Sequence, residues 1–159
     1  GDIISAKIDI KLFVNEESLK DWISGFQKEN MAAPVSPDIP LLSNLTAVDN
    51  VSLIMRFHTQ NGDSEIFRTL DSLFSELGIA ETKCLKPSLL DERTIFIVKL
   101  LRAAMMPGAA ILIDRPFFMI KNMADIGPVR EMLALLDTHF SKCIITDYEW
   151  HSGRYGDLI

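Results

Sequence analysis

Two aspartates stand at the ends of apolar stretches that are typical of buried strands. Asp114 follows the run AAILI at positions 109–113, and Asp147 follows CIIT at positions 143–146. Short apolar runs of this kind favour strands that are buried on both faces of a parallel sheet. Because open α/β sheets bind ligands at the carboxyl ends of their strands, both carboxylates are candidate site residues.

Arg115 changes what the neighbouring Asp114 is expected to do. A carboxylate in this position could bind a metal ion, but one beside an arginine is more often ion-paired or a helix cap, and we predict no metal site. The guanidinium could bind an anion such as a nucleotide phosphate, since its shape suits phosphate. We expect instead a salt bridge between Arg115 and Asp147, which the adjacent strand would bring near.

The other reactive side chains show no spacing typical of ligands or catalysts. Cys84 and Cys143 lie far apart and share no spacing with His58, His139 or His151, so neither a zinc site nor a disulfide is predicted. With 16 basic and 22 acidic residues the net charge is -6, which disfavours nucleic-acid binding. No apolar run approaches the ~20 residues that cross a bilayer, so we expect a cytoplasmic protein without direct membrane insertion.

Strand and helix patterns alternate along the chain and indicate a single α/β domain over residues 1–159, with a helical insertion at about 46–106. Strands are predicted at 8–14, 31–35, 109–113 and 143–146. The first helix is predicted to run through about Phe26, where Gly25 and the polar run at 27–30 stop it, and the third is predicted to end at Gly78. The N-caps predicted for the five helices are Asn15 or Ser18, Thr46 or Asp49, Asp63 or Ser64, Asp91, and Asp125 or Gly127.

Several segments resemble the ATPase subunits of ABC transporters. LLSNLTAVDNVSL at 41–53 resembles the region after the family's Q-loop, and LRA at 101–103 resembles the helix that leads into a Walker B strand. ITDY at 145–148 and GDLI at 156–159 resemble the H-loop strand and the residues after it, while ISGF at 23–26 resembles the helix after a Walker A loop. DRPF and NVSLIMRFH are most similar to the ATPases of bacterial outer-membrane lipid-trafficking transporters.

The resemblance implies a three-layer RecA-like parallel sheet of the P-loop NTPase type. The implied strand order is 8–14, 143–146, 109–113, 31–35. On this alignment the chain covers a miniature nucleotide-binding domain, without the antiparallel β-subdomain and the final strands of the family.

The same resemblance implies that most residues acting on ATP are replaced. Glu16 stands in the phosphate loop, which would need glycines and a lysine, and Pro37 stands at the Q-loop glutamine. Asp91 lies at 90–94, where the family carries its signature sequence. Arg115 replaces the catalytic glutamate and cannot act as a base because it stays protonated, and Asp147 replaces the H-loop histidine.

The function implied is a non-hydrolytic binding or scaffolding component of a transport system, with no cofactor. Asp114, Arg115 and Asp147 would then line a vestigial nucleotide cleft, together with Glu16, Pro37 and Asp91. The alternative is a divergent ABC subunit that still binds and hydrolyses ATP with Mg²⁺. A third interpretation is a small-molecule sensor that uses the cleft near Arg115 and Asp147.

The partner implied is a membrane permease or another ABC ATPase subunit. It would contact Pro37, Leu41, Leu42 and the helix predicted at 46–57, and it would hold the protein peripherally at the inner membrane. The methionines at 105–106 and the run FFM at 117–119 could form a further partner surface, although core packing explains part of each.

Overall fold

The structure is a computed structural model that describes residues 3–159, and a sheet of four parallel strands forms its centre. The sheet order is β1-β4-β3-β2, which confirms the predicted order. Gly1 and Asp2, which belong to the predicted domain, lie outside the described residues. The strands are β1 Ile8–Phe13, β2 Ala32–Val35, β3 Ala110–Asp114 and β4 Cys143–Tyr148.

Helices alternate with these strands and cover both faces of the sheet. The segment between β2 and β3 is helical: α2 packs against α3 and α4, and α4 also packs on β2. The limits of the helical subdomain at about 46–106 stay a prediction. The helices are α1 Glu16–Glu29, α2 Ala47–His58, α3 Asp63–Glu76, α4 Glu92–Ala104, α5 Pro116–Met119 and α6 Gly127–Leu135.

The strand β3 is buried on both faces, as its apolar run predicts. Ile111 and Ile113 are both 0% exposed and pack into the main core with α2, α3, α4 and α6. Leu112, on the opposite face, is 1% exposed and lies next to Ile23 of α1. Leu19 is the one buried residue of α1, so the other residues of this helix remain at least partly exposed.

Three helices begin at the polar residues that the sequence indicates. Asn15 accepts a hydrogen bond from the backbone N–H of Ser18 at 2.8 Å, and Asp91 accepts one from Thr94 at 2.8 Å. Thr46 caps α2 in the same way. Each of these caps satisfies a backbone donor that the helix itself leaves free.

The predicted end of α1 at about Phe26, just after Gly25, is wrong, because the helix continues to Glu29. A glycine in an exposed helix interior costs about 1 kcal/mol, and local packing offsets this. The ring of Phe26 stacks on that of Trp22 with centroids 5.1 Å apart. The helix ends where the backbone N–H of Asn30 donates to the carbonyl of Phe26.

The predicted cap of α3 is also wrong. Gly62 occupies the N-cap position and Asp63 is already helical, with its carboxylate 3.2 Å from Arg56 of α2. The ion pair therefore uses the side chain that would have capped the helix. The last predicted helix, α6, begins at Gly127 and has Pro128 in its first turn. The side chain of Asp125 accepts a hydrogen bond from the backbone N–H of Gly127.

Candidate functional site

Asp114 ends β3 inside the molecule and is only 4% exposed. Its neighbour in the register of the sheet is Thr146 of β4, whose hydroxyl donates to Oδ1 of Asp114 at 2.9 Å. On the other side Ser36, which follows β2, contacts Oδ2 at 3.5 Å. Three adjacent strands thus bring polar groups to one point at the carboxyl edge of the sheet.

Arg115 supplies the positive charge at this point. Its Nε lies 3.1 Å from both carboxylate oxygens of Asp114, and its Nη2 lies 2.8 Å from Oδ2. The same Nη2 also donates to the carboxylate of Asp38. Burial opposes the charge, but the hydrogen bonds and negative charges of Asp114 and Asp38 outweigh it and raise the pKa of the Arg115 guanidinium.

The backbone of Arg115 adopts the left-handed conformation, with φ 48° and ψ 62°. It is the one residue other than glycine in the described chain with a positive φ. This conformation costs roughly 1–2 kcal/mol for a residue with a Cβ, so the surrounding contacts must hold it. One such contact is the hydrogen bond from the backbone N–H of Arg115 to the carbonyl of Thr146 at 2.7 Å.

The predicted salt bridge between Arg115 and Asp147 is wrong. Successive side chains of a strand point to opposite faces, and Thr146 lies on the face of Asp114. Asp147 therefore faces the other way, while the left-handed backbone of Arg115 returns its side chain to Asp114. The carboxylates of Asp114 and Asp147 consequently lie on opposite faces of the sheet and have different partners.

Asp147 binds the turns at the end of the described chain, the 3₁₀ segments Glu149–Arg154 and Gly156–Leu158. Its Oδ1 accepts from the backbone N–H of Tyr148 at 2.7 Å and lies 2.9 Å from Nδ1 of His151. Its Oδ2 accepts from the hydroxyl of Tyr155 at 2.6 Å. Burial and this carboxylate raise the pKa of Tyr155.

The connection between β1 and α1 consists of Val14 and Asn15 alone. Glu16, which the resemblance places in a phosphate loop, is therefore already helical. Glu16 opens the helix and pairs with Lys20 at 2.7 Å on the surface. The hydrogen bond and the charge of Lys20 lower the pKa of Glu16, whose carboxylate also experiences the charge of Arg115.

A cavity of about 300 Å³ lies between α1 and the β2–β3 half of the sheet. Its polar end includes Asp114, Ser36 and Asp38, and Lys20 lies on its α1 side. Ser36, Asp38 and Thr146 were not predicted as site residues, although Ser36 and Asp38 follow a predicted strand just as Asp114 does. The apolar wall of the cavity consists of Ile23, Pro34, Ile39 and Leu112.

The architecture matches that of ABC transporter ATPase subunits. CbiO1 from Clostridium perfringens, described as part of the ABC transporter complex CbiONQ, aligns with a TM-score of 0.64 at 16% identity over 89% of this chain. A metal-chelate type ABC transporter in an inward-facing conformation aligns with a TM-score of 0.62 at 10% identity over 89%. This chain has the fold of an ABC transporter ATPase.

The likeness is one of structure. The alignment of this chain covers 66% of the length of CbiO1 and 62% of the length of the metal-chelate type transporter chain. Both values are below two thirds. No protein-family profile and no curated protein sequence matches it. At these identities the comparison establishes the fold, a parallel α/β sheet of the P-loop NTPase type.

Pro37 and Asp91, the two remaining candidates of the ABC ATPase resemblance, occupy different places. Pro37 lies between Ser36, which contacts Asp114, and Asp38, which pairs with Arg115. Asp91 caps α4 on the surface, where the backbone hydrogen bond from Thr94 lowers its pKa, and it does not line the cavity. The structure thus brings Asp114, Arg115 and the segment around Pro37 together and leaves Asp91 apart.

Residues 3–159 contain neither a metal-binding cluster nor a membrane-spanning helix. No group of three or more histidine, cysteine or acidic side chains there could hold a metal ion. None of the helices described in that range has the length and apolarity needed to cross a membrane. Cys84 and Cys143 are both free thiols, and burial raises the pKa of Cys143.

The methionine and phenylalanine runs divide between the core and the surface. Met105 and Phe117 are buried, which agrees with core packing. Phe118 is 44% exposed, and the guanidinium of Arg115 lies 5.6 Å from the centroid of its ring. His151 packs against the ring of Phe117 in addition to its contact with Asp147.

Proposed function

We propose that this chain is a component of a transport system that has the ABC ATPase fold, does not hydrolyse ATP and acts by binding a partner. The observation that carries the proposal is the two-residue connection between β1 and α1. A phosphate loop needs glycines and several converging backbone N–H groups ahead of the helix. Val14 and Asn15 are too few to encircle a phosphate.

The start of α1 further disfavours a triphosphate. The side chain of Asn15 already accepts from the backbone N–H of Ser18. Glu16 and Glu17 occupy the first turn, so a bound phosphate would meet two carboxylates. The residues at the β1–α1 junction therefore do not fit the nucleotide that the fold family binds.

The chemistry around Asp114 supports the same proposal. The position after this aspartate would have to activate water, and Arg115 stays protonated there. Its guanidinium is also held by Asp114 and Asp38. A rearrangement that freed Asp114 for a metal ion would remove one of the two carboxylates that pair with the buried guanidinium of Arg115 and leave Asp38 alone to balance it.

Calorimetric titration with ATP and Mg²⁺ is expected to show no binding at millimolar nucleotide, and steady-state ATPase activity is expected to be absent. The control is the Asp114→Asn variant, which keeps the shape of the side chain. Saturable nucleotide binding, or ATPase activity that this variant abolishes, would instead establish the alternative of a divergent ATP-hydrolysing subunit. The retained Asp114 beside a cavity is the observation that favours this alternative.

The partner that we propose is a membrane permease, which would hold the protein at the cytoplasmic face of the inner membrane. Leu41 is 6% exposed and cannot form part of the contact through its side chain, which corrects that part of the prediction. Leu42 is 47% exposed, and Phe57 near the end of α2 is 78% exposed. The proposed contact therefore comprises Pro37, Leu42 and the exposed side of α2. Because DRPF and NVSLIMRFH resemble the ATPases of lipid-trafficking transporters, lipid is the proposed cargo of the system.

A photo-crosslinking amino acid in place of Leu42 is expected to yield an adduct with an integral membrane protein in cells that produce both proteins. The same probe in place of Leu89, which is 69% exposed, is the matched control and should give no such adduct. Mass spectrometry identifies the crosslinked protein. Equal labelling from the two positions would exclude a specific contact at Leu42.

A further inference from the structure

Lys99 of α4 is a buried cation for which residues 3–159 provide no paired carboxylate. The residue is 6% exposed, and its ammonium makes one hydrogen bond, to the carbonyl of Ser36 at 2.9 Å. Within residues 3–159 no carboxylate forms an ion pair with it. A buried charge is normally paired with an opposite charge. We therefore expect the charge of the Lys99 ammonium, and two of its three N–H donors, to bind a further partner.

The groups around Lys99 do not supply that partner. Arg102 lies one turn further along α4 and, in the described part of the chain, makes no ion pair or side-chain hydrogen bond. Burial, followed by the charge of Arg102, lowers the pKa of Lys99. The charge of Asp38 has the opposite effect, but its carboxylate is already bound by Arg115. This side of α4 therefore carries unbalanced positive charge.

Lys99 lines a pocket of about 190 Å³ between α4, α5 and the segment after β2. A cavity of about 150 Å³ is large enough to bind benzene, so a ligand with one small ring or a short alkyl chain fits here. Glu92 is the one acidic residue of the lining, and Lys121 lies 3.7 Å from its carboxylate. The other lining residues are Pro37, Ile95, Phe96, Phe118 and Met119.

We propose that this pocket binds a small monocarboxylate with a compact apolar body, whose carboxylate pairs with the ammonium of Lys99. The apolar and aromatic walls receive the body of the ligand, and the free donors of Lys99 receive its charge. One lysine matches a monoanion. A phosphate dianion would need more donors and more positive charge than the single lysine of the pocket lining offers.

Benzoate is the probe that tests the site, with binding followed by calorimetry and by the NMR signals of labelled lysine side chains. Saturable binding to the complete chain is expected, with a shift of the Lys99 signal. The variant Lys99→Met, which keeps the length of the side chain, should bind roughly tenfold more weakly or worse, because a charged hydrogen bond is lost. The matched control Lys11→Met alters an exposed lysine of β1 and should bind like the unchanged protein.

Benzyl alcohol and acetate separate the two parts of the proposal. The alcohol keeps the ring without the charge, and acetate keeps the charge without the ring, so both should bind at least roughly tenfold more weakly than benzoate. Equal affinity of Lys99→Met and Lys11→Met for benzoate, or no saturable binding of benzoate, would overturn the site. The result is independent of ATP binding, so the site and the proposed non-hydrolytic function can fail separately.

Discussion

Replacing Arg115 with alanine is expected to lower the free energy of unfolding by about 3–5 kcal/mol, because it leaves a buried carboxylate without its counter-ion. Asp114 is 4% exposed, and the guanidinium contacts both of its oxygens at 2.8–3.1 Å. Ser36 and Thr146 would remain as its side-chain donors. Urea unfolding measures the change, and an unchanged m-value shows that it reflects stability.

The backbone of Arg115 adds a second, separable effect. At a φ of 48° alanine retains the strain of the left-handed conformation, whereas glycine does not. Arg115→Gly should therefore be less destabilising than Arg115→Ala by roughly 1 kcal/mol. The exposed Arg68 provides the control, since Arg68→Ala should change stability by no more than about 0.5 kcal/mol.

A double-mutant cycle with Asp114→Asn tests whether the pair itself is responsible. In the Asp114→Asn background no buried negative charge remains at position 114, so Arg115→Ala should cost at least about 2 kcal/mol less than it does alone. Additive effects of the two substitutions would contradict the assignment. They would indicate that Arg115 stabilises the fold through its aliphatic stem and Phe118 instead.

The strands β2, β3 and β4 were predictable because each is a short apolar run, and β1 was predictable because apolar residues alternate along it. Predicted strand 109–113 corresponds to β3, and Ile111, Leu112 and Ile113 are each at most 1% exposed. Strand β4 extends to Tyr148, beyond the predicted 146, because its last residues still pair with β1. The order of the strands came from the family resemblance, since physical rules alone fix only the parallel crossovers.

The helix limits were less predictable where tertiary contacts override a local signal. Gly25 favours the end of a helix, but the packing of Phe26 on Trp22 stabilises α1 beyond this position. Asp63 reads as a cap, but its carboxylate pairs with Arg56. The helix α5 has only four residues, which is too short for a helical pattern to be recognised.

The site was predicted in part. Asp114 and Arg115 do form a charged cluster at the carboxyl edge of the sheet, as the positions of the strand ends indicate. The predicted partner of Arg115 was wrong because the left-handed backbone returns its side chain to Asp114, whereas an extended backbone would place it on the face of Asp147. No local sequence signal marks a left-handed arginine, and none reveals that Asp38 reaches this cluster.

Replacing Asp147 with alanine is expected to destabilise the protein by about 3–5 kcal/mol, the second large effect. The carboxylate is 0% exposed and accepts from Tyr148 and Tyr155, with His151 at 2.9 Å. Its removal would leave the buried hydroxyl of Tyr155 without its acceptor. Each unsatisfied buried donor costs about 1–3 kcal/mol.

Two comparisons isolate this carboxylate from other effects. Tyr155→Phe removes one donor but leaves Asp147 with the N–H of Tyr148 and with His151, so it should cost only about 1–2 kcal/mol. Glu149→Ala removes an exposed acid two residues away and should change stability by no more than about 0.5 kcal/mol. Urea unfolding of the three variants gives the comparison.

Hydrogen exchange shows where the loss of Asp147 acts. The carboxylate joins the end of β4 to the turns at 149–158, which pack against β1. In Asp147→Ala the amides of these turns should exchange faster than those of α2 and α4, because the turns lose their anchor while the distant core keeps its contacts. Uniform acceleration across the chain, or a stability equal to that of Glu149→Ala, would contradict this role. The residue at the family's histidine position would then contribute nothing specific to the fold.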